Sequence, residues 1–103
     1  MKLEVLHIDD CPGWEQAGER LRDALVAVGI DDTVVIYRVL RTAEDAAGVN
    51  FAGSPTVLLD GEDLFPSNQR SPDLACRLYP TPFGLAMTPT TEQFIDALVS
   101  RGY

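Results

Sequence analysis

Two cysteines give this chain of 103 residues its clearest capacity for covalent chemistry. Cys11 follows the apolar residues 3–8 and precedes Pro12, where a helical pattern begins. The thiolate is the reactive form of a cysteine, and the N-terminus of a helix favours that anion. The neighbouring carboxylates of Asp9 and Asp10 disfavour it. We expect the helix terminus to have the larger effect, so Cys11 is predicted to be a nucleophile. The alternative is a structural cysteine at a strand end.

The second cysteine, Cys76, lies in a proline-rich insert at residues 66–89, which holds five of the seven prolines. An insert of this length is often functional in a compact domain. Around Cys76 the sequence SPDLACRL predicts one or two turns of helix, with Ser71 as N-cap and Pro72 in the first position. Cys76 is then either a second reactive thiol or a buried apolar residue.

Two neighbouring thiolates could also hold a soft metal ion such as mercury or copper(I). The spacing between His7 and Cys11 is not one found in zinc sites, and a lone histidine in a strand is usually a packing or surface residue. We therefore predict neither a resident metal nor another cofactor. Tyr79 and Phe83 in the insert could add an apolar wall beside Cys11.

The composition limits the classes of protein to which this chain can belong. Hydrophobic residues make up 46% of the chain, enough for one packed domain covering residues 1–103. The formal net charge of -8 disfavours nucleic acid and anionic lipid as partners. No apolar run approaches the roughly 20 residues that a membrane span requires. The N-terminus lacks the basic head and cleavage site of a signal peptide, so we expect a cytoplasmic protein.

Hydrophobic periodicity predicts a strand, a helix and a second strand in the first part of the chain. Residues 2–8 are apolar and followed by turn residues, as in a strand. From Pro12 to Gly29 apolar residues recur every three or four positions, which predicts a helix. These residues are Trp14, Ala17, Leu21, Leu25 and Val28. Residues 33–40 are β-branched, aromatic and mostly apolar on both faces, which favours an interior strand in a parallel pairing.

Turn and capping residues predict the remaining elements. Thr42 is expected to cap a short helix. The pair Asp60-Gly61 between apolar runs predicts a hairpin with strands at 56–59 and 62–65. A last helix is predicted from the capping box of Thr90 and Gln93, with Gly102 at its end. The order β-α-β-α-β-β-α is that of an α/β fold with a four-stranded mixed sheet and helices on both faces.

This order resembles that of the thioredoxin superfamily, and two local features carry the resemblance. Cys11-Pro12 lies at the first strand–helix junction, and Gly53-Ser54-Pro55-Thr56 lies directly before the third strand. In that superfamily a proline with a cis peptide bond occupies this second place, beside the active cysteine. The resemblance therefore implies a cis bond between Ser54 and Pro55. The chain is also similar to small bacterial thioredoxin-like proteins, some of which are labelled as related to alkylmercury lyases.

The resemblance implies weak thiol–disulfide oxidoreductase activity on a thiol or disulfide partner, either a small thiol or a protein. Trp14 stands where thioredoxins keep the second cysteine of Cys-x-x-Cys, so Cys76 is the candidate resolving thiol. In thioredoxin folds the segment after the hairpin can approach the proline loop. The residues implied in substrate binding are Pro12, Trp14, Ser54, Pro55 and Thr56.

Two alternatives to an oxidoreductase remain open. One is a binding module without catalysis, because the proline loop of thioredoxin folds offers backbone groups to an extended peptide or to glutathione. The other is a soft-metal binder that uses both thiols.

Overall fold

The computed structural model describes residues 1–66 and 74–103, and within them three helices and six strands. None of these helices has the length and hydropathy needed to cross a bilayer. The elements, in chain order, are β1 (Leu3–His7), α1 (Trp14–Ala27), β2 (Val35–Val39), α2 (Ala43–Ala47), β3 (Thr56–Leu59), β4 (Glu62–Asp63), β5 (Tyr79–Thr81), β6 (Gly84–Ala86) and α3 (Thr91–Ser100).

The main sheet has four strands in the order β2-β1-β3-β4. Strand β1 pairs in parallel with β2 and antiparallel with β3, and β4 is antiparallel to β3. The predicted parallel pairing is therefore present, but the prediction that residues 33–40 form an interior strand is wrong. Strand β2 lies at the edge and leaves Ile36 and Tyr37 exposed. Strand-forming composition does not distinguish an edge strand with one neighbour from an interior strand with two.

The two faces of the sheet carry separate apolar clusters, because alternate residues of a strand point to opposite faces. Leu3 and Val5 of β1 pack with residues of α1 and α3, whereas Leu6 packs with Ala46 of α2. Helices therefore cover both faces of the mixed sheet, as predicted. Cys11 belongs to the cluster on the α2 face.

Local turn chemistry explains the hairpin between β3 and β4. Asp60 and Gly61 have φ angles of 51° and 85°, the left-handed pair that a two-residue hairpin turn uses. Strand β4 is shorter than the predicted 62–65. Leu64 still donates its N–H to the Val57 carbonyl of β3 at 3.0 Å, and the next N–H, that of Phe65, donates to the Asp63 carboxylate at 2.9 Å.

Helix α1 begins at Trp14, two residues later than the predicted start at Pro12. Gly13 is the N-cap and has a φ of 103°, a conformation that suits glycine. A Cβ atom at this position would lie 3.1 Å from the Cβ of Met87, so a small residue is also needed for space. Pro12 therefore precedes the helix as an exposed residue.

The other helix starts follow the predicted capping. Thr90 and Gln93 form a reciprocal capping box at α3, and Thr42 forms one with Asp45 at α2. Each box satisfies backbone N–H groups that the first turn of a helix leaves unpaired.

The insert differs from the prediction wherever it is described. Strands β5 and β6 form a two-stranded hairpin that the sequence did not predict. The helix predicted around Cys76 is absent from residues 74–78, where Cys76 forms an isolated β-bridge with Ser54. Ala75 and Arg77 use their backbone groups to bond Ser54, so those groups are not available to a helix. Ser71 and Pro72, the predicted start of that helix, lie outside the described residues.

Candidate functional site

Cys11 and Cys76 are joined by a disulfide, with their Cα atoms 5.6 Å apart and 65 residues between them in sequence. This separation lies within the range that disulfides require. The two residues differ in exposure: Cys11 is 3% exposed, whereas Cys76 is exposed. Cys11 packs in the cluster that contains Leu6 and Leu40. One end of the disulfide is therefore part of the core, and the other lies at the surface.

Ser54 holds the segment that carries Cys76. Its backbone N–H donates to the Ala75 carbonyl at 2.8 Å, and its carbonyl accepts from the Arg77 N–H at 2.9 Å. These bonds make a parallel bridge between Ser54 and Cys76. The Ser54 hydroxyl also accepts a hydrogen bond of 3.0 Å from the backbone N–H of Ile8, three residues before Cys11. One serine thus fixes both chain segments that bring the cysteines together.

The proline loop around Ser54 is buried. The Ser54–Pro55 peptide bond is cis, as the resemblance implied. Ser54 is 1% exposed, Thr56 is fully buried, and Pro55 is among the fully buried side chains. Thr56 donates its hydroxyl to the Gly53 carbonyl and accepts a bond of 3.1 Å from the Ala52 N–H. In the disulfide form these residues hold the site together and face no open surface.

Gly53 permits the close approach of the Cys76 segment. Its φ is 106°, and a Cβ atom added there would lie 2.7 Å from the Cβ of Arg77. Side chains rarely adopt this conformation, and the distance is shorter than real Cβ contacts allow. The glycine before Ser54 is therefore needed for the contact as well as for the turn.

Arg77 anchors the other side of the segment. Its guanidinium donates to the Asp63 carboxylate at 2.8 Å and to the Phe65 carbonyl, and it lies 4.4 Å from the ring centre of Tyr79. Both side chains of the ion pair are about nine-tenths buried. No local pattern predicts this pair, and its sequence signal is a charged residue within the apolar stretch LACRLY.

Tyr79 reinforces the proline loop from β5. It is 3% exposed, and its hydroxyl donates a hydrogen bond to the Pro55 carbonyl. Burial raises the pKa of the Tyr79 hydroxyl, which keeps the proton that this bond requires. Tyr79 is therefore a support of the loop. Phe83, the second predicted wall residue, is 91% exposed at the tip of the β5–β6 hairpin.

The Phe83 hairpin borders a surface hollow of about 540 Å³. Its other lining residues include Arg20, Pro82 and Thr90, and neither cysteine is among them. The hollow is thus separate from the disulfide.

Trp14 stacks on His7, with ring centres 4.0 Å apart and planes 10° apart. It also contacts the ring of Tyr37 edge-on at 5.8 Å. Trp14 packs against the cluster on the α1 and α3 face, whereas Cys11 belongs to the cluster on the α2 face. The ring of Trp14 thus continues the apolar stripe of α1.

His7 is 7% exposed, and its Nδ1 atom finds no hydrogen-bond partner among the described residues. Burial lowers the pKa of His7, against the opposing effects of the Ile8 backbone and the carboxylates of Asp9 and Glu15. In residues 1–66 and 74–103 no group of three or more histidine, cysteine or acidic side chains could hold a metal ion.

Comparison of the chain with protein-family models, curated proteins and solved structures finds no match.

Proposed function

We propose that this protein is a thioredoxin-like thiol–disulfide oxidoreductase whose redox pair is Cys11 and Cys76. The observation that carries the proposal is the bridge between Ser54 and the Cys76 segment, which accompanies a Cα separation of 5.6 Å between the cysteines. A cysteine between β1 and α1, a proline loop before β3 and the order of the elements support the thioredoxin-like assignment. The β5–β6 hairpin is an addition before the last helix.

The proposed reaction is a two-step exchange. In the reduced protein, one cysteine thiolate attacks a sulfur of the substrate disulfide, and the other substrate sulfur leaves as a thiolate. The second cysteine then attacks the mixed disulfide and releases the remaining substrate thiol. The substrate gains two electrons and two protons, and the protein gains the Cys11–Cys76 bond. The position of Cys11 before α1 favours it, on sequence grounds, as the attacking thiolate, with Cys76 as the resolving thiol.

The two alternative functions make different demands on the same residues. A module that binds a peptide at the proline loop needs the backbone groups of Ser54, but the Cys76 segment already occupies them. A soft-metal binder needs both cysteines as free thiolates, so it operates only in the reduced protein. The oxidoreductase is the function that uses the disulfide itself.

A turnover assay tests the proposal. Dithiothreitol is supplied as reductant, and the reduction of a disulfide-bonded test protein is followed with wild type, Cys11→Ser and Cys76→Ser. We expect wild type to accelerate the exchange at least about tenfold over either variant, because both variants lose the intramolecular second step. Equal rates for all three proteins would contradict the oxidoreductase. A binding module would instead retain ligand affinity in Cys11→Ser, and a metal binder would take up mercury only with both cysteines present.

A further inference from the structure

The two cysteines of the pair are not equally exposed to a reaction partner. Cys11 is 3% exposed and packed among apolar side chains, whereas Cys76 is exposed. Exchange requires a thiolate to reach the sulfur it attacks. We propose that Cys76 is the sulfur that exchanges with the partner and that Cys11 is the internal leaving group. This reverses the roles predicted from the sequence, and it rests on the proposed oxidoreductase function.

The reaction balances as follows in the direction that reduces the protein. A partner thiolate forms a bond to the sulfur of Cys76, and the Cys11–Cys76 bond breaks. Cys11 leaves with the electron pair as a thiolate and takes a proton from solvent. A second thiol of the partner then attacks the mixed disulfide and releases Cys76, so the partner loses two electrons and two protons. The reverse path oxidises the protein, and Cys76 again carries the mixed disulfide.

Opposing effects act on a thiolate at Cys11. Burial among apolar side chains and the carboxylates of Asp9 and Asp10 disfavour the anion, whereas the start of a helix favours it. Cys11 precedes α1, whose N-cap Gly13 provides no side-chain hydrogen bond to the first turn. The N–H groups of that turn therefore lack side-chain capping, and the helix N-terminus favours a nearby negative charge. A sulfur whose thiolate is stabilised leaves faster.

The surface around Cys76 indicates the class of partner. From Cys76 to Pro80 the residues alternate between exposed and buried, with Arg77 and Tyr79 inside. Leu78 is 57% exposed on the same side as Cys76, and Leu74 is 36% exposed two positions before it. An exposed leucine thus lies two residues away on each side of the exposed residue Cys76. This arrangement favours a partner with apolar side chains next to its own cysteine.

Within residues 1–66 and 74–103, the charges near the disulfide argue against glutathione, which carries two carboxylates. The carboxylates of Asp9 and Asp10 are exposed beside Cys11, and the whole chain has a formal net charge of -8. Arg77, the basic neighbour of Cys76, is buried in its pair with Asp63. Arg41 is paired with Asp9 at 3.4 Å. We therefore assign the partner as a polypeptide segment whose cysteine is flanked by apolar side chains.

The sulfur that exchanges can be identified by trapping. Oxidised wild-type protein is mixed with excess β-mercaptoethanol, quenched in acid within seconds, treated with maleimide and mapped by mass spectrometry. We expect mercaptoethanol on Cys76 and maleimide on Cys11 in the trapped species. Mercaptoethanol on Cys11 would overturn the assignment and restore the order predicted from the sequence.

The partner class is tested with two capped peptides of one cysteine each. One has leucines two positions to either side of the cysteine, and the other has serines there. We expect the leucine peptide to reduce the wild-type disulfide about fivefold faster than the serine peptide, and faster than glutathione, because its leucines cover exposed apolar surface. The double variant Leu74→Ser, Leu78→Ser should lose this preference, whereas Leu85→Ser should keep it. Leu85 is the control because it is 70% exposed on the β5–β6 hairpin.

The outcomes separate this inference from the function on which it rests. Equal rates for the two peptides, or a faster rate for glutathione, would overturn the partner class while leaving the redox pair intact. A protein in which mild oxidation produces no Cys11–Cys76 bond would instead refute the proposed function. The control is the rate at which mercaptoethanol reduces wild type and the leucine double variant. Equal rates would show that the substitutions left the disulfide accessible, so a lower rate with the leucine peptide would reflect a specific loss of peptide recognition.

Discussion

Reduction of the Cys11–Cys76 bond should lower the stability of the protein by a large and calculable amount. The cross-link closes a loop of 65 residues. In the chain-entropy treatment, such a loop restricts the unfolded chain by about 4 kcal/mol at 25 °C. The reduced protein should therefore unfold with a free energy about 4 kcal/mol lower than that of the oxidised protein. For a chain of this length the loss corresponds to about 20 °C in Tm.

Urea titration followed by the fluorescence of Trp14, the single tryptophan, measures this difference. The oxidised protein is compared with the same protein in dithiothreitol. The control is Cys76→Ser, which cannot form the bond, so dithiothreitol should leave its stability unchanged. Its free energy of unfolding should be close to that of reduced wild type.

A difference below about 1 kcal/mol between oxidised and reduced wild type would refute the reasoning. It would mean that the cross-link does not close this loop in the folded protein, or that the reduced chain keeps the two segments together when unfolded. An effect of dithiothreitol on Cys76→Ser would show that the measured change does not arise from the disulfide.

Three further predictions follow from individual contacts. In urea titration, Gly53→Ala should lower the free energy of unfolding at least about 1 kcal/mol more than Gly61→Ala. Both glycines have a positive φ, but only Gly53 of the two lies against another side chain. Equal losses for the two variants would contradict the importance of this contact. Burial lowers the pKa of His7, so below about pH 6.5 the unfolded chain binds a proton that the folded chain does not. The free energy of unfolding should therefore fall as the pH drops, by up to about 1.4 kcal/mol per pH unit, until the pKa of His7 in the folded protein is reached. The variant His7→Phe should lack this part of the pH dependence, and an unchanged profile would disprove it. Arg77→Met should lower the free energy of unfolding by about 3 kcal/mol, because it leaves the Asp63 carboxylate buried without its ion-pair partner. Adding Asp63→Leu should recover much of this stability. A further decrease in the double variant would contradict this explanation.

The parts of the fold that the sequence predicted depend on short-range chemistry. Asp60-Gly61 defines its own turn through two left-handed residues, and Thr90 with Gln93 caps α3 within four positions. The alternation of β1 and the helical stripe of α1 likewise lie within single elements. Each of these turn, capping and periodicity patterns lies within a short segment of sequence, so it can be interpreted without knowledge of the surrounding structure.

The predictions that were wrong depend on distant partners. The Cys76 segment is not helical because its backbone groups bond to Ser54, which is distant in sequence. The buried pairing of Arg77 with Asp63 has the same origin. The edge position of β2 also depends on the order of strands in the sheet, which the residues of β2 do not determine by themselves. No local pattern connects Cys76 with Cys11, and the thioredoxin resemblance made Cys76 only a candidate partner.

The most direct test of the redox pair is mass spectrometry of the protein across a series of dithiothreitol redox buffers. We predict that a peptide cross-linked between Cys11 and Cys76 appears in the oxidising buffers, disappears in the reducing ones and returns on reoxidation, in one two-electron transition. Two cysteines that oxidise independently, or that form disulfides only between protein molecules, would contradict the account.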